Sequence, residues 1–422
     1  MTKDSKQLRS YFHGIEPRSF IKLLAVVLFL AIIITLAVLG FSSGSNSLIL
    51  NQISGLISSG ISSVEAESGS VSNGATIVSD TSASGGKYIQ FGSTATTTTP
   101  TVGFQPSAPY YGSFYYMWYK NDSVDGAWSY WTDSSNNPPK TWFSHYIPDF
   151  KPGEFTPASE LYSSHSYDTF KWQVSKMAES KMEFAIASWW GENRKEDQAF
   201  DKIINDFMKR SDNPYPNLRW AIYYENEGFA DDSTATIVSK LQYLKKYTAS
   251  NYFLKVGGKP VIFVYAGAND VPGTMTKRWY DANSQLNNEF YIVLKVFPGY
   301  ANDSYQPASW HQYAPAVRYG VHAPYSAFVS PGFWLDDGSA ERLERNSTDF
   351  ETAVRNMVSV SATWKLVETW NEWGEGTSVE PGQRVKTVNG NEVIDETAPQ
   401  FGNLYIDILN RQLPALESGT GR

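Results

Sequence analysis

The chain has 422 residues, of which 41% are hydrophobic and 18% charged, the balance of a globular protein and not a disordered one. A formal net charge of -8 argues against nucleic acid as a partner, because phosphate binding needs a basic face. With no cysteine there is no disulfide, thiol nucleophile or thiolate-held metal, whereas 14 Trp and 26 Tyr supply rings that can stack on sugars through an apolar face.

Residues 1–22 carry Lys3, Lys6, Arg9, Arg18 and Lys22 and read as a basic cytoplasmic segment. The apolar run from Leu23 to Phe41 follows, and at 1.5 Å per residue it spans about 30 Å, the hydrocarbon thickness of a bilayer. It is longer than the apolar core of a cleaved signal peptide, so residues 23–41 are expected to be a retained transmembrane signal-anchor. No Lys or Arg recurs before Lys87, and the positive-inside rule then puts everything after Phe41 outside the cell membrane.

Residues 42–63, rich in Ser and Gly with interleaved Leu and Ile, read as a juxtamembrane stalk. Residues 64–93 form a short β-rich segment. Its blocks Val64-Glu65-Ala66-Glu67-Ser68-Gly69 and Ser84-Gly85-Gly86-Lys87-Tyr88-Ile89-Gln90-Phe91 resemble the first strands of β-sandwich carbohydrate-binding modules of families 6 and 35. That length is too short for a working module, so a strand pair is expected. Residues 94–109, opening on Thr94-Ala95-Thr96-Thr97-Thr98-Thr99-Pro100, read as a linker.

Over residues 110–415 strand-like and helix-like patterns alternate. Strands are expected at Ser113–Tyr119, Glu183–Trp190, Arg219–Asn226, Lys259–Ala266, Phe290–Pro298, Ala316–Ala323, Ala327–Phe333 and Trp364–Trp373. Helices are expected at Thr169–Lys181, Glu196–Arg210, Ala235–Ser250, Gly273–Leu286, Ser347–Ala362 and Gln400–Leu413. About eight βα units make an α/β fold, a (β/α)8 barrel of the TIM type. A doubly wound open sheet is the alternative, and it calls for a glycine-rich phosphate turn after the first strand; Ser113–Tyr119 leads into none.

A barrel of this kind places its chemistry at the C-terminal ends of its strands. Those ends carry Tyr116, Trp118, Trp189, Trp190, Tyr224, Glu225 and His322, aromatic or polar groups that packing alone does not require. With Tyr325, Asn371 and Trp373 they form the expected substrate-binding set for a polyhydroxylated ligand. The aromatic loop from Lys120 to Asp168, with Trp128, Tyr130, Trp131, Trp142 and Tyr146, is long enough to be functional, or to be a lid with its own small core.

The last strand opens into Glu368-Thr369-Trp370-Asn371-Glu372-Trp373-Gly374-Glu375-Gly376-Thr377. Residues i and i+3 lie roughly 10 Å apart in an extended chain and closer in a turn. The Glu372 and Glu375 side chains can therefore converge at the roughly 5–10 Å separation of glycosidase carboxylate pairs. Taken locally, the same residues also read as a solvated acidic turn. His13, His145, His165, His311 and His322 show no zinc-ligand spacing, and nucleotide, calcium and serine-hydrolase signatures are missing. No metal or cofactor is expected.

The blocks Phe114-Tyr115-Tyr116-Met117-Trp118-Tyr119, Leu161-Tyr162-Ser163-Ser164, Ser188-Trp189-Trp190-Gly191 and Asn371-Glu372-Trp373-Gly374-Glu375-Gly376-Thr377 resemble, in this order, glycoside hydrolase family 99 and its family 99-like relatives. The block from Tyr325 to Trp334 is similar to the family 99-like secreted proteins. The resemblance implies a (β/α)8 barrel that cleaves α-mannosidic bonds inside a glycan with retention. It implies Glu372 as the base on the sugar's own 2-hydroxyl, giving a 1,2-anhydro intermediate, and Glu375 as the acid/base. Gly374 stands where the endomannosidases usually have His. A non-catalytic glycan-binding protein, or an accessory protein of polysaccharide assembly, is the competing reading; an ionisable pair of carboxylates favours the enzyme.

Overall fold

The computed structural model describes residues 75–79, 87–91, 103–131, 145–150, 161–267, 270–337, 339–388, 391–395, 397 and 401–416. The segments read as a basic tail, transmembrane anchor and stalk lie outside them. Among the described residues no helix is long and apolar enough to cross a membrane. The chain divides into two units, Met1–Thr94 and Ala95–Arg422. In the first, β1 (Ala75–Ser79) and β2 (Lys87–Phe91) pair antiparallel with Ile77 opposite Ile89, the strand pair expected there.

The second unit holds β3 (Tyr110–Tyr115), β4 (Tyr146–Pro148), β5 (Phe184–Trp189), β6 (Arg219–Tyr224), β7 (Lys255–Val256), β8 (Lys259–Val264) and β9 (Tyr291–Lys295). It continues with β10 (Ser309–His311), β11 (Tyr319–His322), β12 (Ser326–Val329), β13 (Trp364–Val367), β14 (Gly382–Val388) and β15 (Asn391–Ile394). Eight of these are parallel neighbours in the order β10-β9-β8-β6-β5-β3-β13-β12. That is the cyclic order of an eight-stranded α/β barrel, with β10 and β12, its sixth and seventh members, at the two ends of the paired run. The free edge of β12 is taken by β11, which runs antiparallel to it.

Two expectations are corrected here. The segment Ala316–Ala323 is not a barrel strand: its strand β11 runs backwards in a hairpin with β12. The sixth barrel strand is instead β10, whose three residues are too few for alternation to reveal. The expected linker also ends early. Gln105 donates to the Phe253 carbonyl (3.0 Å) and accepts from the Lys255 N–H (2.7 Å), and Arg219 Nε donates to the Phe104 carbonyl (2.7 Å).

The helices α1 (Tyr167–Glu179), α2 (Lys195–Asn205), α3 (Thr234–Thr248), α4 (Met275–Gln285), α5 (Ser347–Ser359) and α6 (Leu404–Gln412) are amphipathic. Phe170, Val174 and Met177 bury one face of α1, and Phe350, Val354 and Met357 one face of α5. Side-chain caps start several of them. Ser233 Oγ accepts from the Thr236 N–H (3.2 Å), and Asn346 Oδ1 from those of Thr348 and Asp349 (3.0 and 3.1 Å).

Because side chains alternate along a strand, the barrel interior is filled in layers. Phe184, Phe263 and Trp364 pack against one another at the bottom, and Phe114, Tyr223 and His311 form the layer above. Gly112 faces Phe184 in register, and a Cβ on it would lie 2.4 Å from the Phe184 ring. Gly112→Ala is therefore expected to overpack the bottom layer and cost about 1–3 kcal/mol, read from the denaturant midpoint. An unchanged midpoint would mean that this layer shifts freely.

Candidate active site

Two residues beyond each middle-layer side chain, the same alternation delivers polar groups to the C-terminal mouth. Tyr116 follows Phe114, Glu225 follows Tyr223, Tyr313 follows His311, and Glu368 follows Leu366. Tyr265, Lys295 and Ser188 arrive in the same way from β8, β9 and β5. The mouth thus owes its chemistry to the strand period, not to long loops.

The Glu372–Glu375 turn is fixed to this mouth by its neighbours. Trp370 donates its N–H to the Phe114 carbonyl (2.8 Å). Asn371 then uses its side-chain amide as a strand would use its backbone: Oδ1 accepts from the Tyr116 N–H (2.8 Å) and Nδ2 donates to the Tyr116 carbonyl (3.0 Å). Tyr119 donates its hydroxyl to the Asn371 carbonyl (2.8 Å) and accepts from the Trp373 N–H (3.1 Å). The Glu372 N–H donates to Thr369 Oγ1 (2.8 Å).

Glu372 is 6% exposed; its Oε1 accepts from the Gly374 N–H (3.0 Å), while its Oε2 is buried and has no protein partner. Burial, then the charges of Glu375 and Asp336, push this carboxyl well above the usual carboxylate range. Glu375 Oε2 accepts from the Tyr313 hydroxyl (2.7 Å), which itself accepts from that of Tyr116 (2.9 Å). Burial raises the Glu375 carboxyl to about 7, against the Tyr313 hydrogen bond and the charge of Arg342. Two adjacent carboxyls of unequal surroundings, one of them poised near neutrality, are what paired acid and base work requires.

Around the pair stand further acids. Glu225 accepts from Ser188 Oγ (2.8 Å), and burial lifts it to about 8, with the Glu375 charge adding and Lys295 opposing. Glu368 is fully buried; Oε2 accepts from the Ala314 N–H (2.8 Å), Oε1 has no partner, and burial holds the carboxyl well above its usual range. The nearby cation is Lys295, pulled down by its own burial and raised by Glu368, Glu225 and Asp270. Rings line the rim. Tyr130 stacks on Trp118 (4.2 Å between centroids, 5° between planes) and leaves half its own surface exposed. Half-buried Trp190 lies 6.4 Å from Trp118 and 5.0 Å from exposed Phe229.

Of the expected site residues, Tyr116, Trp118, Trp190, Glu225, Glu372 and Glu375 meet at the mouth. Others do not. Trp189 and Tyr224 point out of the barrel and are fully buried under the helices, where Trp189 Nε1 donates to Asp197 (2.9 Å) and Tyr224 bonds Asp232. Alternation lets only one of Trp189 and Trp190 face the mouth, and the phase that decides which is set by strand pairing. Asn371 and Trp373 are buried and committed, Asn371 as above and Trp373 Nε1 to the Tyr162 hydroxyl (3.1 Å). His322 and Tyr325 lie at the opposite end of the barrel, since His322 pairs with Ser326, the first residue of β12. The cause is the reversed direction of β11. Sequence reading passed over Tyr313, Lys295 and Glu368; alternation along β9 and β13 points to the last two, but Tyr313 depends on the unforeseen β10.

Among the described residues one carboxylate group, Glu227, Asp231 and Asp270, is tight enough to hold a cation. Arg278 is already there, bonded to Glu227 and 3.5 Å from Asp231.

Residues 107–286, from the approach to β3 through α4, match the family model described as glycosyl hydrolase family 99. Two curated glycoprotein endo-α-1,2-mannosidases are similar over most of their length. The one from Xenopus laevis is 20% identical over 346 residues (71% of this chain, 75% of that protein), and the one from Rattus norvegicus 19% over 343 (71% and 73%). The solved structure of the family 99 endo-α-mannosidase from Bacteroides thetaiotaomicron superposes with a TM-score of 0.56 at 17% identity, over 72% of this chain and 96% of that one. Its complex with bis-tris-propane gives 0.57 at 17%, over 73% and 97%, so the fold is shared. The chain is a glycoside hydrolase, and its residues 107–286 match the family 99 model.

Proposed function

We propose that this enzyme cleaves α-mannosidic bonds inside glycans with retention of configuration, using Glu372 as base and Glu375 as acid/base. The observation that carries the reading is the buried, unpartnered Oε2 of Glu372 beside the Tyr313-bonded carboxyl of Glu375. The named activity of the curated relatives supports the mannosidic linkage. A sugar 2-hydroxyl donating to Glu372 Oε2 supplies the hydrogen bond that this carboxylate lacks and stabilises its ionised form. The hydroxyl oxygen then attacks the anomeric carbon and its proton passes to Glu372, while Glu375 gives its proton to the departing glycosidic oxygen. Water next opens the 1,2-anhydro ring at the same carbon. Glu375 takes the water's proton, Glu372 returns its own to O2, and two inversions leave the configuration retained.

The two carboxyls then have separable roles. Glu375→Gln is expected to lose about 10²–10⁴-fold on natural glycans and much less on an activated aryl glycoside, whose leaving group departs unaided. Glu372→Gln is expected to be inactive on both, and a 2-deoxy substrate to fail with the native enzyme. Because Glu375 acts protonated and titrates at about 7, turnover of natural glycans should fall as pH rises through that value, and because Glu372 acts ionised it should fall again toward acid pH as that carboxyl takes up its proton. Trapping a sugar ester on Glu372 would sink the mechanism. Full activity in both variants would reduce the pair to an acidic turn.

Trp190, half-buried at the rim, is the ring we assign to sugar stacking. Trp190→Ala should weaken glycan binding with little loss of stability. Trp189→Ala, at a fully buried ring, should cost about 3–5 kcal/mol. Equal stability losses in titrations of the two variants would overturn the assignment.

We also propose that the protein is a single-pass membrane protein with its barrel outside the cell, on the basic residues up to Lys22 and the apolar run beyond it. Protease added to intact cells should digest the barrel. A protected barrel with an accessible N-terminus would reverse the orientation.

A further inference from the structure

The loop that follows β12 runs beside the carboxylate turn and pairs with it. Trp334 donates its N–H to the Glu375 carbonyl (2.8 Å), and Asp336 donates its own to the Gly374 carbonyl (2.9 Å). This pairing brings the Asp336 carboxyl to the flank of Glu372. A Cβ on Gly374 would lie 3.0 Å from Glu372 Oε1 and 3.1 Å from Asp336 Oδ2, tight for carbon against oxygen on both sides. Gly374 does not have the positive φ that favours glycine elsewhere, at Gly376 for example, so its backbone does not call for glycine. The space does.

Asp336 is half-buried, and burial lifts its carboxyl to about 6, with the neighbouring Asp337 adding. Asp337 is held low by its bonds to Ser339, and the Arg342 charge falls on Asp337 and Glu375. Among the described residues Asp336 is offset only by its own backbone N–H, and no cation there explains placing a third acid against a pair already short of positive charge. On the same Glu372 carboxyl, more than nine-tenths buried, Oε2 has no partner among the described residues.

We propose that Asp336 is a third, substrate-binding carboxylate. It accepts a hydrogen bond from a hydroxyl of the sugar ring held against Glu372. The proposal rests on the reading of Glu372 and Glu375 as the reacting pair. It makes positions 336 and 374 a joint specificity element: a Cβ at 374 would crowd Asp336 Oδ2 and take it away from the ring. The ligand class is a neutral hexose with a free hydroxyl at that point.

The test measures kcat and KM on a manno-oligosaccharide substrate and on its mono-deoxy analogues, for the native enzyme, Asp336→Ala and Gly374→Ala. Asp336→Ala is expected to lower kcat/KM on the parent by roughly 10–100-fold, the worth of a hydrogen bond to a charged group. On the one analogue that lacks the contacted hydroxyl it should cost nothing. Gly374→Ala should show the same sparing of that analogue on top of a loss common to every substrate, because its Cβ also presses on Glu372 Oε1. For Asp336→Ala, an equal loss on every analogue, or no loss on the parent, overturns the proposal. Thermal melting checks that the variants are folded, and because Asp336 is partly exposed its variant decides the matter if Gly374→Ala fails to fold. Glu372→Gln assayed alongside separates the two readings: if it stays active, the catalytic assignment falls, and if it is dead while Asp336→Ala matches the native enzyme, only Asp336 does.

Discussion

The side chain of Asn371 is the interaction on which the mouth of this barrel depends. Past Val367 the last strand can no longer pair regularly with β3, because the chain must turn to present Glu372 and Glu375. Without a substitute, the N–H and carbonyl of Tyr116 would be buried and unpaired, at about 1–3 kcal/mol for each group. The Asn371 amide satisfies both and reaches the Tyr162 hydroxyl as well (3.1 Å). Tyr162 in turn donates to Glu380, a buried carboxyl that also takes Gln173 and the indole of Trp370. The turn is thus anchored through one amide and one phenol to the first strand, the first helix and the strand that bears it. A carboxylate pair built this way is positioned by the barrel wall and not by a mobile loop.

The same mouth is electrostatically expensive. Glu225, Glu368, Glu372 and Glu375 all have carboxyls held above their ordinary range, with burial the first cause of each. Folding alone would favour apolar groups here, as it does two residues earlier on each strand. Buried acids with orphaned oxygens are a local violation of polar satisfaction that packing elsewhere must offset, which is the usual signature of a site kept for chemistry. Glu380 and Glu227 differ: Glu380 accepts from Tyr162, Gln173 and Trp370, and Glu227 has Arg278 and Trp279.

That offset comes from the aromatic residues. Trp189, Trp220, Trp279, Trp310, Trp364, Trp370 and Trp373 are fully buried, several of them pinned by an indole N–H to a carboxylate or hydroxyl. Half of the 14 tryptophans that composition offers for sugar stacking are therefore core. Among the described residues, the rings at the rim that keep exposed surface include Trp190, Tyr130 over Trp118, Phe229 and Tyr265.

The linear chain determined the alternation of strands and helices, the barrel class and the turn that carries Glu372 and Glu375. Each of these is written in local periodicity and in the run of turn-formers after Trp373. It did not determine phase or direction. Whether Trp189 or Trp190 faces the mouth turns on a one-residue offset, which only pairing with β6 sets. That His322 lies at the far end follows from the antiparallel run of β11, and that Tyr313 lies at the near end follows from the three-residue β10. Neither has a signature in composition, because the free energy that fixes them comes from ladder bonds and packing between segments distant in sequence. Asp336 is the clearest case. An acid in a loop becomes the neighbour of Glu372 only because the loop after β12 pairs with Gly374, which has no Cβ to crowd the two carboxyls.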